Sequence, residues 1–499
     1  MIRSSDTSTP APLTSWAWLA FALPLLFFSN GRWVVPAAAW WAPVFLQRFV
    51  RTQRAPIGIL VGLAASAAVA LPAWAAMIPV PGRLYYLIAG LMGAIFFIPY
   101  ALDRLIAPRI GGFASSLVLP LAWTSVEWLN STFGPYGSWG SLAYTQHDNL
   151  PLLQLLSVTG MSGVVFLVAW FAGVVNWAWE RRFEWKRVRG GTLLYAAVLT
   201  AVLFLGGLRL VAFPPRGPAA RVAGITVVPD PGARRIVDQI QRNDSDAELK
   251  EIRRQTRALQ DSLLARSARE ARAGAGIVVW SEGNGRVLKP DEAAFIQRGR
   301  DLARRQRIWL FMALVTLTPG KPLHENQLVA VRPDGAVAFR YHKARPVPGD
   351  AETGADRRIP APVESRWGDL GGAICFDMDF PGLIRRAGRQ GTDLLFVPSS
   401  DWRAIDPLHT RMAIYRGIEN GCAVVRQVNQ GLSAAADHQG LILAAADYFK
   451  TADHAMVAQV PTRGVRTIYS RIGDLFAWAC LGGLLAFAAA AALNPARAR

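Results

Sequence analysis

Leu370-Gly371-Gly372-Ala373-Ile374-Cys375-Phe376-Asp377-Met378-Asp379-Phe380-Pro381 is the stretch on which the fold of this chain turns. A short apolar run delivers a cysteine, then acidic and aromatic residues and a proline. A run of that length bounded by turn formers reads as a buried strand that ends at the thiol. Residues just past a strand end lie where open α/β sheets build their sites. A cysteine there can also be an inert small hydrophobe, so the thiol alone does not define a nucleophile.

Two further stretches favour chemistry. Ala275-Gly276-Ile277-Val278-Val279-Trp280-Ser281-Glu282 is a second strand-like run that places its first carboxylate past the apolar segment. Ala336-Val337-Ala338-Phe339-Arg340-Tyr341-His342-Lys343 alternates like a half-buried strand and finishes on a lysine. Three strands thus end on Glu, Lys and Cys. A free thiol is mostly protonated at neutral pH and needs a base, which a carboxylate supplies. Attack on a carbonyl develops an oxyanion that a fixed ammonium stabilises. The same residue types would equally form a satisfied ion pair beside an unreactive thiol.

Length and composition bound the rest. The 499 residues exceed one ordinary domain. Hydrophobic residues make up 52% with 18 tryptophans, and the mean hydropathy is +0.23, which argues against a wholly soluble protein. The three cysteines, Cys375, Cys422 and Cys480, show no paired spacing, and the six histidines form no ligand cluster. No metal or cofactor is expected. The formal charge of +19 lacks a compact basic tract or a nucleic-acid motif, and fits basic loops beside membrane helices. Cys422 and Cys480 read as packing.

In chain order, a Ser/Thr/Pro-rich tail over 1–14 reads as unstructured. Apolar runs follow at about 15–29, 33–47, 56–79, 84–101, 113–128, 150–178 and 191–213, with another at 475–493. The longer ones reach the roughly 20 residues that cross a bilayer, and the first two are short enough for a tilted or re-entrant pair. With the first residue inside, cytoplasmic loops hold Arg48, Arg51, Arg54, Arg104, Arg109, Arg181, Arg182, Lys186, Arg187 and Arg189, against Arg32 and Arg83 opposite. That asymmetry predicts seven crossings, a soluble part at 214–470 outside the cytoplasm, and a last span with a basic tail over 471–499 that includes Arg497 and Arg499. The loop 133–147, with aromatics and glycines but no Lys or Arg, reads as an interface anchor or a lipid-handling segment.

From Pro214 the pattern changes. Strand-like 219–228, 275–282, 308–316, 326–332, 393–398, 422–428 and 441–447 alternate with helical stretches at 247–273, 291–306, 381–390 and 408–420. Strands alternating with helices predict an α/β domain of about 250 residues.

The ordered Glu282, Lys343 and Cys375 look like the Glu-Lys-Cys triad of the nitrilase, or carbon-nitrogen hydrolase, superfamily. With the apolar runs, the chain resembles its membrane-embedded apolipoprotein N-acyltransferase branch. The likeness includes Tyr144-Thr145-Gln146, Gly160-Met161-Ser162-Gly163, Asn326, Pro333-Asp334-Gly335 before Tyr341-His342-Lys343, and Val347-Pro348. It continues through Cys375-Phe376-Asp377, Phe380-Pro381, Ser400-Asp401-Trp402, Arg416-Gly417-Ile418-Glu419, Arg426, Asn429 and Thr467-Ile468-Tyr469 with Arg471 and Gly473-Asp474.

The resemblance implies an α-helical membrane bundle of about eight spans carrying a nitrilase-like αββα sandwich on the periplasmic side of the bacterial inner membrane. It implies Glu282 as general base, Lys343 as oxyanion stabiliser and Cys375 as nucleophile. An acyl chain would pass from a phospholipid through a thioester to the α-amine of a diacylglyceryl-cysteine lipoprotein, without cofactor. Asp350, Glu352, Phe376 and Asp377 are supporting or substrate-binding candidates, with either Asp350 or Glu352 in the place of the family's second glutamate. The chain departs from the family at Ser281, where proline is usual, at Phe376 and Asp377 in place of tyrosine and glutamate, and at Val227-Val228-Pro229-Asp230. A membrane-anchored amidase using water as acceptor, and an inactive homologue, stay open as rival readings.

Overall fold

The computed structural model describes residues 12–80, 82–215, 217–228, 246–321 and 323–493. Most of the 1–14 tail, Pro229-Asp230, Arg497 and Arg499 lie outside the described residues. Two compact units emerge. One comprises the chain up to Gly134, Ser138–Leu208 and the residues from Asp474 on; the other comprises Pro135–Gly137 and Arg209–Gly473.

The first unit is helical: α1 (Pro12–Ser29), α2 (Pro36–Thr52), α3 (Ala55–Ala73), α4 (Arg83–Ile110), α5 (Val118–Phe133), α6 (Leu150–Leu153), α7 (Leu156–Thr159), α8 (Met161–Trp179), α9 (Trp185–Ala212) and a C-terminal helix, Leu475–Leu493. The first helix begins at Pro12, inside the tail read as unstructured; proline is well suited to a first helical turn, where its missing N–H costs nothing. Among the described residues five helices are long and apolar enough to cross a membrane: α3, α4, α8, α9 and Leu475–Leu493. The run at 150–178 is not one helix, because Gly160, with φ +62°, ends α7 and starts α8. An L-residue with a side chain rarely adopts that backbone conformation.

Within this unit α8 is the covered centre, with 72% of its apolar window buried, against 11% for α9. Ions inside an apolar bundle persist only when paired. Arg51 accordingly donates from Nε and Nη2 to the two Asp103 oxygens at 2.7 Å each, and from Nη1 to Glu180 at 2.8 Å. Asn176 Nδ2 on α8 donates to Gln47 Oε1 on α2 at 2.9 Å.

The second unit stacks two sheets. One orders its strands β14 (Ala455–Pro461), β1 (Ala219–Ile225), β2 (Ile277–Trp280), β4 (Trp309–Leu317), β5 (His324–Val331) and β6 (Val337–His342), with β3 (Gly285–Leu288) paired to β4 and β7 (Glu352–Thr353) to β5. The other runs β13 (Ile442–Asp447), β12 (Leu432–Ala436), β11 (Ala423–Asn429), β10 (Leu394–Ser400), β9 (Gly368–Gly372) and β8 (Val363–Ser365). Central strands β2, β4, β10 and β11 are buried along almost their whole length, as expected of parallel strands covered on both faces. Their inner faces meet in one core, where Phe311 stacks on Phe396 with ring centroids 4.2 Å apart. Helices α10 (Asp246–Arg272) and α11 (Glu292–Gln306) pack on the first sheet. Helices α12 (Pro381–Gln390) and α13 (Leu408–Asn420) pack against each other beside the second. The result is a nitrilase-like sandwich of two sheets with flanking helices.

Replacing Phe311 by alanine empties the contact between the sheets. The loss expected is about 3–5 kcal/mol of stability for a large aromatic removed from a core. It is measured as a lower unfolding midpoint of the α/β unit in detergent; an unchanged midpoint would show that the two sheets do not depend on this contact.

Candidate active site

Each of the three strand-end residues is set by backbone hydrogen bonds rather than by its own side chain. Ser281 N–H donates to Ile225 O at 3.1 Å, and Glu282 N–H donates to Ser399 O at 3.3 Å, so the exit of β2 is tied to both sheets. A proline at 281 would have no N–H to give that first bond. Lys343 follows β6 directly, and its N–H donates to Asn326 O of β5 at 3.0 Å.

The strand before the thiol is shorter than its apolar run suggests. β9 stops at Gly372, Ala373 N–H continues the ladder to Phe396 O at 3.1 Å, and Cys375 opens a short 3-10 turn over Cys375–Asp379. Cys375 itself sits at φ +45°, a strained conformation for a residue with a side chain. Strain of this kind is held by surrounding structure, and here the holder is Asp377. Its carboxylate accepts from Ile374 N–H at 2.9 Å, from Arg345 N–H at 2.9 Å and from the Tyr341 hydroxyl at 2.7 Å. One side chain thereby clamps the cysteine turn to the loop that carries Lys343. Burial lifts the Asp377 carboxyl to about 7 despite the hydrogen bonds from Tyr341 and Ile374 that favour its charge.

Glu282, Lys343 and Cys375 converge. Lys343 Nζ donates to Glu282 Oε1 at 2.9 Å, and the Cys375 thiol lies close enough to feel both charges. Glu352 joins them: its Oε1 accepts from Lys343 Nζ at 3.1 Å and from Asn326 Nδ2 at 3.0 Å, while Asn326 Nδ2 also reaches Glu282 Oε1 at 2.8 Å. Asp350 lies exposed on the loop before β7 with its N–H donated to Val347 O, and it makes no hydrogen bond to the cluster. Phe376 is buried with its ring edge-on to Phe380 at 5.2 Å, so an apolar contact stands where a tyrosine hydroxyl is common in the family.

The charges of this cluster set one another. Burial opposes ionisation of Glu282, but the Lys343 ammonium and the hydrogen bonds from Lys343 and Asn326 outweigh it and hold the carboxyl below its usual range. Burial works against the Lys343 charge, but Glu282 and Glu352 override it and hold the ammonium well above its ordinary value. The Cys375 thiol is pushed well up by burial and by the Glu282 charge, with Lys343 opposing. At neutral pH the resting set is therefore a neutral thiol, a carboxylate and an ammonium. That set can move one proton from sulfur to carboxylate when an electrophile arrives, and can stabilise the oxyanion that results.

Behind the thiol lies a second buried cluster that no local spacing announces. Asp401 takes both terminal nitrogens of Arg426 at 2.9 Å each and His409 Nδ1 at 2.7 Å, and His409 Nε2 bonds Asp379 at 3.1 Å. The Cys375 thiol donates to Ser400 O at 3.7 Å, one residue before Asp401. Ligand atoms of Cys375, Asp401 and His409 lie within 4.8 Å of one another, a grouping that suits a metal ion by distance. The chemistry does not fit, because Arg426 Nη2 stands 2.9 Å from His409 Nδ1 and a guanidinium already fills the face a cation would need.

The sequence motifs hold Asn326, Asp401 and Arg426 without marking them as site residues. Alternation along β5 puts Asn326 on the same face as the buried Leu328 and Ala330, and an amide beside them was the available signal. Cys422 and Cys480 are buried.

Residues 259–468 match the carbon-nitrogen hydrolase family, and residues 10–174 match the apolipoprotein N-acyltransferase N-terminal domain. An apolipoprotein N-acyltransferase of Geobacter metallireducens is 28% identical over 420 residues, spanning 76% of this chain and 75% of the relative. One from Shewanella oneidensis is 26% identical over 410 residues, spanning 74% and 72%. Among solved structures, an amidase from Nesterenkonia sp. aligns with 52% of this chain and 95% of its own at 19% identity and a TM-score of 0.40.

His409 provides a pH test of the second cluster. Burial lowers its basicity, but Asp379 and Asp401 raise it further, to about 9 against 6.5 for a free imidazole. A folded-state value above the unfolded one gives stability that is complete below pH 6.5 and lost as pH rises through about 9. The unfolding midpoint of the wild type is expected to fall between those limits more steeply than that of His409→Gln. Parallel profiles would mean that the imidazolium contributes nothing.

Proposed function

Because the chain belongs to the apolipoprotein N-acyltransferase family, as its two domain matches and its relatives show, we propose that it N-acylates lipoproteins through a thioester on Cys375. The observation that carries this reading is the single Glu282 carboxylate meeting both the Lys343 ammonium and the Cys375 thiol.

In the first half-reaction the Cys375 sulfur attacks the ester carbonyl of a phospholipid as Glu282 takes the thiol proton. The oxyanion faces Lys343, whose charge Glu282 and Glu352 maintain. Collapse expels the lysophospholipid alkoxide, which recovers the proton from Glu282 and leaves the acyl group on sulfur. In the second, the α-amine of a diacylglyceryl-cysteine attacks the thioester and Glu282 takes the amine proton. The tetrahedral intermediate releases the thiolate, Glu282 returns the proton to sulfur, and the amide is free. A donor and acceptor both embedded in lipid suit a site that favours amine over water.

Within this reading Glu352, rather than Asp350, supplies the second carboxylate, because it shares Lys343 and Asn326 with Glu282. Asp377 positions the nucleophile turn, and Phe376 contributes an apolar wall. The protein is a membrane protein with several apolar helices. Three more crossings, α1, α2 and α5 with the turn Phe113–Leu117 before it, complete eight spans. The ten-against-two distribution of loop cations favours the inner membrane with the catalytic unit on the periplasmic side.

The test is rescue of a bacterial strain deficient in lipoprotein N-acylation. Wild-type chain restores N-acylated lipoprotein termini by mass spectrometry, and Cys375→Ala or Glu282→Gln, expressed to the same level in the membrane, restores none. Equal rescue by Cys375→Ala would remove the nucleophile from the mechanism.

A further inference from the structure

Six arginines, Arg345, Arg357, Arg358, Arg385, Arg386 and Arg389, line one cavity of about 640 Å³ in the α/β unit. They come from three places. Arg345 follows Lys343 by two residues, Arg357 and Arg358 lie between β7 and β8, and the other three stand on α12. Like charges do not gather in one concavity without a counter-charge, since their mutual repulsion has to be offset. Among the described residues none of the six has a carboxylate partner; Arg385 and Arg386 are half-buried and the other four exposed. Arg386 Nε is buried without a hydrogen-bond partner. Gly382, in the first turn of α12, also lines the cavity, with open space where a Cβ would stand.

The chemistry of this lining suits an anion with several acceptor oxygens. Guanidinium groups bind carboxylate and phosphate oxygens through paired N–H donors, and the first turn of a helix adds backbone donors. The volume falls in the range that holds a small organic group rather than a bare ion. The cavity wall is also joined to the nucleophile. Arg345 N–H and Ile374 N–H, the latter from the residue before Cys375, donate to the same Asp377 carboxylate at 2.9 Å each. The Arg345 side chain lies over the Phe380 ring, 4.7 Å from its centroid, at the entry to α12.

We propose that this cavity binds the phosphate-bearing headgroup of the acyl-donor phospholipid and selects anionic headgroups of the phosphatidylglycerol kind. The proposal rests on the acyl-transfer reading for the identity of the lipid as donor, but headgroup binding is measured without turnover, so the two fail separately.

The experiment is calorimetric titration of full-length protein in non-ionic detergent, carrying Cys375→Ala so that nothing is consumed. The probes are dihexanoyl phosphatidylglycerol, dihexanoylglycerol without phosphate, and inorganic phosphate. Phosphatidylglycerol is expected to bind most tightly, and the combined Arg385→Gln, Arg386→Gln and Arg389→Gln protein to bind it about tenfold or more weakly, as expected for lost charge-assisted hydrogen bonds. Added salt weakens the wild-type interaction and leaves the glutamine protein little changed. Unchanged affinity in a folded glutamine protein overturns the proposal, as does equal binding of dihexanoylglycerol. Inorganic phosphate binding as tightly as the lipid also overturns it, by making the cavity a free-phosphate site. Should the glutamine protein not fold, lysine at the same three positions decides. Lysine keeps charge but loses the paired donors, so several-fold weaker binding supports the assignment and unchanged binding contradicts it.

Discussion

The Lys343 ammonium shared between Glu282 and Glu352 is the constraint on which the site depends. Three charges taken out of water are costly, and only close pairing with further hydrogen bonds offsets that cost. Lys343 Nζ sits 2.9 Å from one carboxylate and 3.1 Å from the other, and Asn326 caps both from a neighbouring strand. With one ammonium between two carboxylates the cluster keeps a negative bias. Burial and that bias together hold the thiol protonated at rest. Removing Lys343 would leave two buried carboxylates uncompensated, whereas removing either carboxylate leaves a one-to-one pair.

The sandwich serves this cluster by delivering three chain ends from two sheets to one place. β2 and β6 belong to the first sheet and β9 to the second, so Glu282 and Lys343 reach Cys375 across the core rather than along a strand. Asp377 fixes the strained cysteine turn to the lysine loop, and the Asp379, Asp401, His409 and Arg426 group fills the space behind it with paired charge. Even the loop between α5 and α6 contributes: Pro135–Gly137 belong to the α/β unit, and Gly137, at φ +55°, lies against the Asp379 carbonyl with no room for a Cβ.

Much of this was legible in the sequence. The strand-like runs ending at Glu282 and Lys343, and the helices at 381–390 and 408–420, appear where periodicity and turn residues put them. What stayed hidden was non-local. β12, Leu-Ser-Ala-Ala-Ala, has no β-branched residue and is a strand only because β11 and β13 pair with it. β14 completes the first sheet by pairing with β1 from the far end of the domain, Ala219 opposite Pro461. The apolar run before Cys375 reads as strand to the thiol, but the turn at Cys375 needs the Asp377 clamp, and its partner Tyr341 is 36 residues away. The choice between Asp350 and Glu352 was likewise beyond spacing, since two residues on one loop differ only in which of them folds back as β7 onto β5. In the membrane unit, hydropathy found the runs but not their breaks, because a single Gly160 ends a helix without changing the local hydrophobicity.

The most direct measurement of the central claim is intact and peptide mass spectrometry of the purified protein after incubation with phospholipid carrying an isotopically labelled acyl chain, with no acceptor present. The account predicts one labelled acyl group on Cys375, released by hydroxylamine and absent from Glu282→Gln. A labelled acyl group on another residue, or none on Cys375 in folded protein supplied with phospholipid, would contradict it.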